Sequence, residues 1–118
     1  MADRGRVICD SGALGNSGRA VRFEVEYFGE AAPAFVVRYE GRVYGYLNRC
    51  GHMPMELDWR EGEVFDLDGR HLVCSTHGAT YAADSGSCVG GPCGGTPLVA
   101  LEVEERGGKV YFMGICDE

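Results

Sequence analysis

Val21, Phe23, Val25 and Tyr27 alternate with Arg22, Glu24 and Glu26, the period-two pattern of a strand with one buried face. Phe35 to Tyr39 and Val43 to Leu47 read as two further strands, separated by Glu40-Gly41-Arg42. Val64 to Leu67 and His71 to Val73 flank Asp68-Gly69, a strong two-residue hairpin signal. Leu98 to Val103 and Val110 to Ile115 flank Gly107-Gly108 in the same way. Asp10 to Gly18 is a loop of small residues, and Met53 to Asp58 has room for one helical turn at most. There is no internal repeat and no low-complexity tail. The pattern predicts an all-β protein of antiparallel sheets.

Length and charge narrow the functional classes. The chain has 118 residues, enough for one domain with a real core, so residues 1–118 are expected to form a single unit. No apolar run approaches the length of a membrane span. Val7-Ile8-Cys9 is the only apolar patch near the start and is followed by Asp10, which is not a signal-peptide core. A cytoplasmic location with no membrane association is therefore expected. The formal net charge of −7 disfavours nucleic acid and favours basic partner surfaces.

The candidate chemistry lies in two short runs. Cys50-Gly51-His52 and Cys74-Ser75-Thr76-His77 each carry one thiol and one imidazole, and both fall where a predicted strand runs out into a loop. Two sulfurs and two nitrogens are the donor set of a Rieske [2Fe–2S] centre, in which two His replace two Cys on one iron. A tetrahedral zinc site uses the same donors. The spacing argues against zinc, whose modules usually open with two cysteines and close with two histidines. Here each pair mixes the two types, and the first pair is separated by a single residue.

The second run continues through Gly78-Ala79-Thr80-Tyr81, and Gly90-Gly91-Pro92-Cys93 follows. With these runs the chain resembles the Rieske ferredoxins, small electron carriers that serve bacterial ring-hydroxylating dioxygenases. The resemblance implies a Rieske-like fold, with a small cluster-binding subdomain of about 48–92 at one tip of a larger strand base. It assigns Cys50 and Cys74 to the inner iron and His52 and His77 to the outer iron of one [2Fe–2S] cluster per chain. It implies no catalytic residue, and a role carrying electrons from a reductase to a terminal oxygenase. Gly90-Gly91-Pro92 resembles the loop that covers the cluster in this family. The alternatives are a small Rieske subunit of an assimilatory nitrite reductase and a zinc-stabilised interaction module.

Some features depart from the family or tune it. Twenty-one residues separate His52 from Cys74, slightly more than the usual spacing. Respiratory Rieske proteins join their ligand loops by a disulfide; the matching places here are Met55 and Thr76, so that bridge cannot form. High-potential relatives carry a Ser where this chain has Ala79, while the family's Tyr is kept as Tyr81. His71 is the third of only three histidines and is expected to be a structural strand residue. With two histidines given to a cluster, the chain lacks the two further histidines of a mononuclear iron site.

The remaining cysteines have quieter readings. Cys9 and Cys116 sit in apolar stretches and are expected to be small core residues. Cys88 and Cys93 are close enough in sequence to pair, but reduced thiols are expected in a cytosolic protein. Glu56, Asp58, Glu61, Glu63, Asp66 and Asp68 stand against Arg60 alone between the ligand runs. Such a run is either a solvated face or an acidic docking rim. Trp59, within it, is open to a core or a partner role.

Overall fold

The computed structural model describes residues 6–27, 29–48, 64–65, 69–73, 80–90 and 97–115. Nine strands run through them: β1 (Arg6–Asp10), β2 (Val21–Tyr27), β3 (Glu30–Tyr39), β4 (Arg42–Leu47), β5 (His71–Val73), β6 (Thr80–Ala82), β7 (Cys88–Gly90), β8 (Ala100–Arg106) and β9 (Lys109–Ile115). Every pairing between them is antiparallel. Six form one sheet in the order β1-β9-β8-β4-β3-β2, and three form a second sheet in the order β5-β6-β7. A single 3-10 turn, Ser11–Ala13, interrupts the loop after β1.

Turn chemistry sets the registers. Tyr39 faces Arg42 across Glu40-Gly41, and Arg106 faces Lys109 across Gly107-Gly108. All four turn residues have positive φ, which matches two-residue hairpins whose twist follows that of their strands. Phe65 bridges Leu72, and the Val73 N–H donates to the Val64 carbonyl at 2.8 Å. Both pairs fit a two-residue turn at Asp68-Gly69. Asp68 lies outside the described residues.

The strand β3 is buried on both faces, and that fact organises the core. Ala32 and Ala34 pack with Val25, Leu47 and Leu101, while Val36 packs with Leu14 and Val110. These even positions point into the interior of the six-stranded sheet. Phe35 and Val37 point the other way, into a cluster with Tyr46, Val64, Leu72, Tyr81, Ala83 and Leu98. That second cluster joins the two sheets, because its members come from β3, β4, β5 and β6. The alternation also explains Gly45: its neighbours on β4 alternate between the two faces, and a Cβ there would stand 2.9 Å from Val103 Cγ1.

One ion pair ties the loop after β1 to the sheet. Arg38 on β3 meets Glu105 on β8 with Nη1–Oε1 at 2.9 Å and Nη2–Oε2 at 2.6 Å. The same guanidinium donates to the carbonyls of Leu14 at 2.9 Å and Ser11 at 3.2 Å. The loop then reaches the second sheet through Ser17, whose hydroxyl donates to the Gly69 carbonyl.

Candidate metal centre

Two strands from different sheets lead toward the two Cys/His runs. β4 ends at Leu47, and Asn48 beyond it is fully buried, with its N–H on the Pro33 carbonyl at 2.9 Å. β5 ends at Val73, whose N–H is held by Val64. Cys50 follows Asn48 by two residues, and Cys74 follows Val73 directly. β6 begins at Thr80, three residues after His77. The strand ends that would carry the donors are thus built into paired, buried backbone. Cys50, His52, Cys74 and His77 themselves lie outside the described residues, as do Ala79, Pro92, Trp59 and the acidic positions from Glu56 to Glu63, Asp66 and Asp68.

The described residues form a floor between the sheets. Tyr81 on β6 and Leu72 on β5 face one another and are both 0 % exposed. Tyr46 on β4 packs its ring on Phe35 at 6.0 Å between centroids and donates its hydroxyl to the Ala83 carbonyl at 2.8 Å. Burial raises the Tyr46 phenol well above its usual range, with the nearby Asp84 carboxylate adding to the effect, so it remains a neutral donor. His71 is half-buried on β5 opposite Ala82, which fits the strand position expected for it. Among the described residues, no three His, Cys, Asp or Glu side chains gather as a metal site.

Two cysteine expectations meet the structure differently. Cys9 is a free, half-buried thiol on β1, and desolvation raises its pKa, with Asp10 adding to the rise. Cys88 on β7 is disulfide-bonded. This corrects the expectation of a reduced thiol at Cys88. Whether two cysteines pair depends on the separation of their Cα atoms, a spatial relation that sequence distance does not state.

Tyr46 is the described residue that sequence reasoning missed. Its signal was present: a phenol within the strand Val43-Tyr44-Gly45-Tyr46-Leu47, four residues before Cys50. Nothing in the sequence names the carbonyl it reaches.

The donor set fits one binuclear cluster. Two thiolates and two imidazoles supply two ligands to each iron of a Rieske-type [2Fe–2S] group. The chain matches no curated protein sequence. Among solved structures it is similar to a chain from a complex of reduced oxygenase and oxidized ferredoxin in carbazole 1,9a-dioxygenase. That match has 26% identity, a TM-score of 0.72, and covers 96% of this chain and 95% of the other. The ferredoxin of carbazole 1,9a-dioxygenase from Nocardioides aromaticivorans IC177 is similar at 20% identity and a TM-score of 0.71, covering 95% and 99% of the two chains. The Sphingomonas yanoikuyae B1 ferredoxin is similar at 21% identity and a TM-score of 0.72, covering 94% and 98%. The Rieske [2Fe-2S] domain model matches residues 6–105, from the start of β1 to the next-to-last residue of β8. With nearly the whole length of the chain accounted for, the protein belongs to the Rieske [2Fe–2S] domain family.

Proposed function

We propose that this protein is a soluble, cytosolic one-electron carrier that takes electrons from a reductase and delivers them to a terminal oxygenase. The observation that carries this reading is the pair of mixed Cys/His runs in a chain of the Rieske family, each following in sequence the end of a strand from a different sheet. The similarity to a chain of an oxygenase–ferredoxin complex supports the choice of partner. No helix among the described residues is long and apolar enough to cross a membrane.

In this reading residues 1–118 are a single domain, with a cluster-binding part of about 48–92. Cys50 and Cys74 hold the inner iron, and His52 and His77 hold the outer iron. A bound [2Fe–2S] cluster supplies reversible one-electron chemistry, at a potential raised by its neutral ligands relative to four-cysteine clusters. By resemblance to the family, the thiolates would lie on the buried side and the imidazoles toward the partner. The net charge of −7 gives it a preference for basic surfaces.

Metal and sulfide analysis of purified protein tests the assignment. Two irons and two acid-labile sulfides per chain are expected, with an anisotropic electron-spin signal on reduction. Single Cys50→Ala and His77→Ala variants are expected to lose both. Stoichiometric zinc without labile sulfide, in protein made with ample iron, would overturn the reading. Reduction of a partner oxygenase by the reduced protein, and of the protein by a flavin or iron–sulfur reductase, tests the carrier role.

A further inference from the structure

We propose that Tyr46 is a positioning residue for the cluster: its buried hydroxyl latches the strand leading into Cys50 to the turn that closes the sheet carrying Cys74 and His77. This inference rests on the assignment of those residues as ligands.

Tyr46 sits on β4, four residues before Cys50. Ala83, whose carbonyl it holds at 2.8 Å, lies just past β6, six residues after His77. The hydrogen bond therefore crosses from the six-stranded sheet to the three-stranded one, and joins the elements that flank the two ligand runs.

The same side chain packs against the same turn. Gly86 adopts φ +78, and a Cβ on it would stand 2.8 Å from the Tyr46 ring at Cε1. The turn is internally braced by the Gly86 N–H on the Ala82 carbonyl at 2.8 Å and the Ala82 N–H on the Ser87 carbonyl at 2.9 Å. Tyr46 holds this braced turn at one point through the ring and at another through the hydroxyl.

Packing alone does not explain the phenol. Tyr46 is 2 % exposed, in a cluster of otherwise apolar side chains and a second tyrosine. Phe would fill nearly the same volume without bringing a polar atom out of water, a burial that is unfavourable unless the atom is bonded. A binuclear cluster needs two donors from each run in fixed relative positions. A latch between the two flanking elements meets that need without touching the cluster.

A parallel route keeps the variant folded. The Leu47 N–H donates to the Val99 carbonyl at 3.0 Å, and the Leu98 N–H donates to the Gly86 carbonyl at 2.9 Å. Tyr46→Phe removes the hydroxyl bond and leaves both the ring contact and this backbone route in place.

The test compares wild type, Tyr46→Phe and a Tyr44→Phe control, all isolated with iron bound. Iron loss to bathophenanthroline disulfonate is followed by bleaching, and amide hydrogen exchange is read by mass spectrometry. Tyr46→Phe is expected to load two irons yet release them about fivefold faster, the equivalent of one ordinary buried hydrogen bond. Exchange should quicken by a similar factor over 80–90 and stay unchanged over 100–115, with Tyr44→Phe at wild-type values throughout. Equal rates of iron release in Tyr46→Phe and wild type would overturn the latch. So would exchange quickened uniformly across both sheets, which would mark Tyr46 as a general core residue. Wild type lacking iron and labile sulfide would instead bring down the ligand assignment, and this positioning role with it.

Discussion

Arg38 and Glu105, 67 positions apart in the chain, close a two-pronged ion pair at 2.9 and 2.6 Å. Their side chains are 14% and 29% exposed, so solvent screens the pair only in part. The hydrogen bonds from Arg38 hold the Glu105 carboxyl down at about 2, against an ordinary value of 4.5. A lowered carboxyl pKa contributes stability above the ordinary value, and that contribution is lost as pH falls through the folded value. Glu105→Gln is expected to cost about 1 to 2 kcal/mol at pH 7. The difference from wild type should shrink as pH is lowered from about 4.5 toward 2. Urea unfolding of both proteins across this range reads the difference directly, because contributions common to the two cancel. A difference that does not change with pH would show that the pair contributes through packing alone.

The β3–β4 hairpin holds a residue that strains it. Glu40 has φ 50 and Gly41 φ 84, so both central positions of the turn are left-handed. Such turns favour Asn-Gly, because a β-carbon on most other residues is disfavoured there while Asn tolerates it. Glu40→Asn is expected to raise stability by about 0.5 to 1 kcal/mol, leaving the denaturant slope unchanged. Glu40 is exposed, and the Gly41 N–H bond to Asn16 Oδ1 at 2.9 Å does not involve its side chain. A lower urea midpoint would show that the Glu40 side chain makes a compensating interaction.

The hairpin at Gly107-Gly108 was the most legible, since both residues accept the positive φ its turn requires, whereas Glu40 gives no such signal before Gly41. The strands expected at 21–27, 43–47, 98–103 and 110–115 are β2, β4, β8 and β9, to within a few residues at their ends. The strand β3 starts five residues earlier than its pattern suggested, at Glu30. Ala31 to Ala34 carries low β-propensity, and its small side chains reflect the close packing around Ala32 and Ala34. β1, β6 and β7 are three to five residues long, too short for period two to stand out. Thr80-Tyr81 stands instead in the continuation of the second ligand run. Cys50, His52, Cys74 and His77 are named as donors from residue type and spacing alone, and they lie outside the described residues. The Tyr46 bond to Ala83 was not legible, because a backbone carbonyl has no signature in the sequence.

Tyr81 is 0 % exposed on β6, four residues after His77, inside the cluster of side chains that joins the two sheets. Hydrogen bonds to cluster sulfurs raise a Rieske potential by favouring the more negative, reduced form. Resemblance to the family gives the Tyr81 hydroxyl such a role and leaves Ala79 without the one a Ser would supply. The midpoint is therefore expected near the low end of the Rieske range, about −150 mV. Ala79→Ser should raise it, and Tyr81→Phe should lower it modestly. Protein-film voltammetry on the three proteins reads the order. A wild-type midpoint above about +100 mV would contradict the reasoning.

The acidic segment from Glu56 to Asp68 makes the last prediction, which depends on charge and on position between the two ligand runs. These six acids lie outside the described residues, so the expectation is drawn from the sequence. A carrier must bind, transfer and leave quickly, which favours small, charge-guided contacts over a large apolar seam. A basic patch on either partner would gain from meeting this segment, with the gain fading as salt shortens the Debye length. Replacing Glu56 and Glu61 by Gln and Asp58 by Asn should slow association with the reductase and oxygenase at low salt. It should flatten the salt dependence while leaving the visible spectrum of the bound cluster intact. Stopped-flow electron transfer at low and high ionic strength measures both effects. If the triple variant follows wild type at every salt concentration, the segment is a solvated face. Partner choice would then rest on shape around His52, His77 and the Pro92 loop, where replacing a charge would have no effect on the association rate.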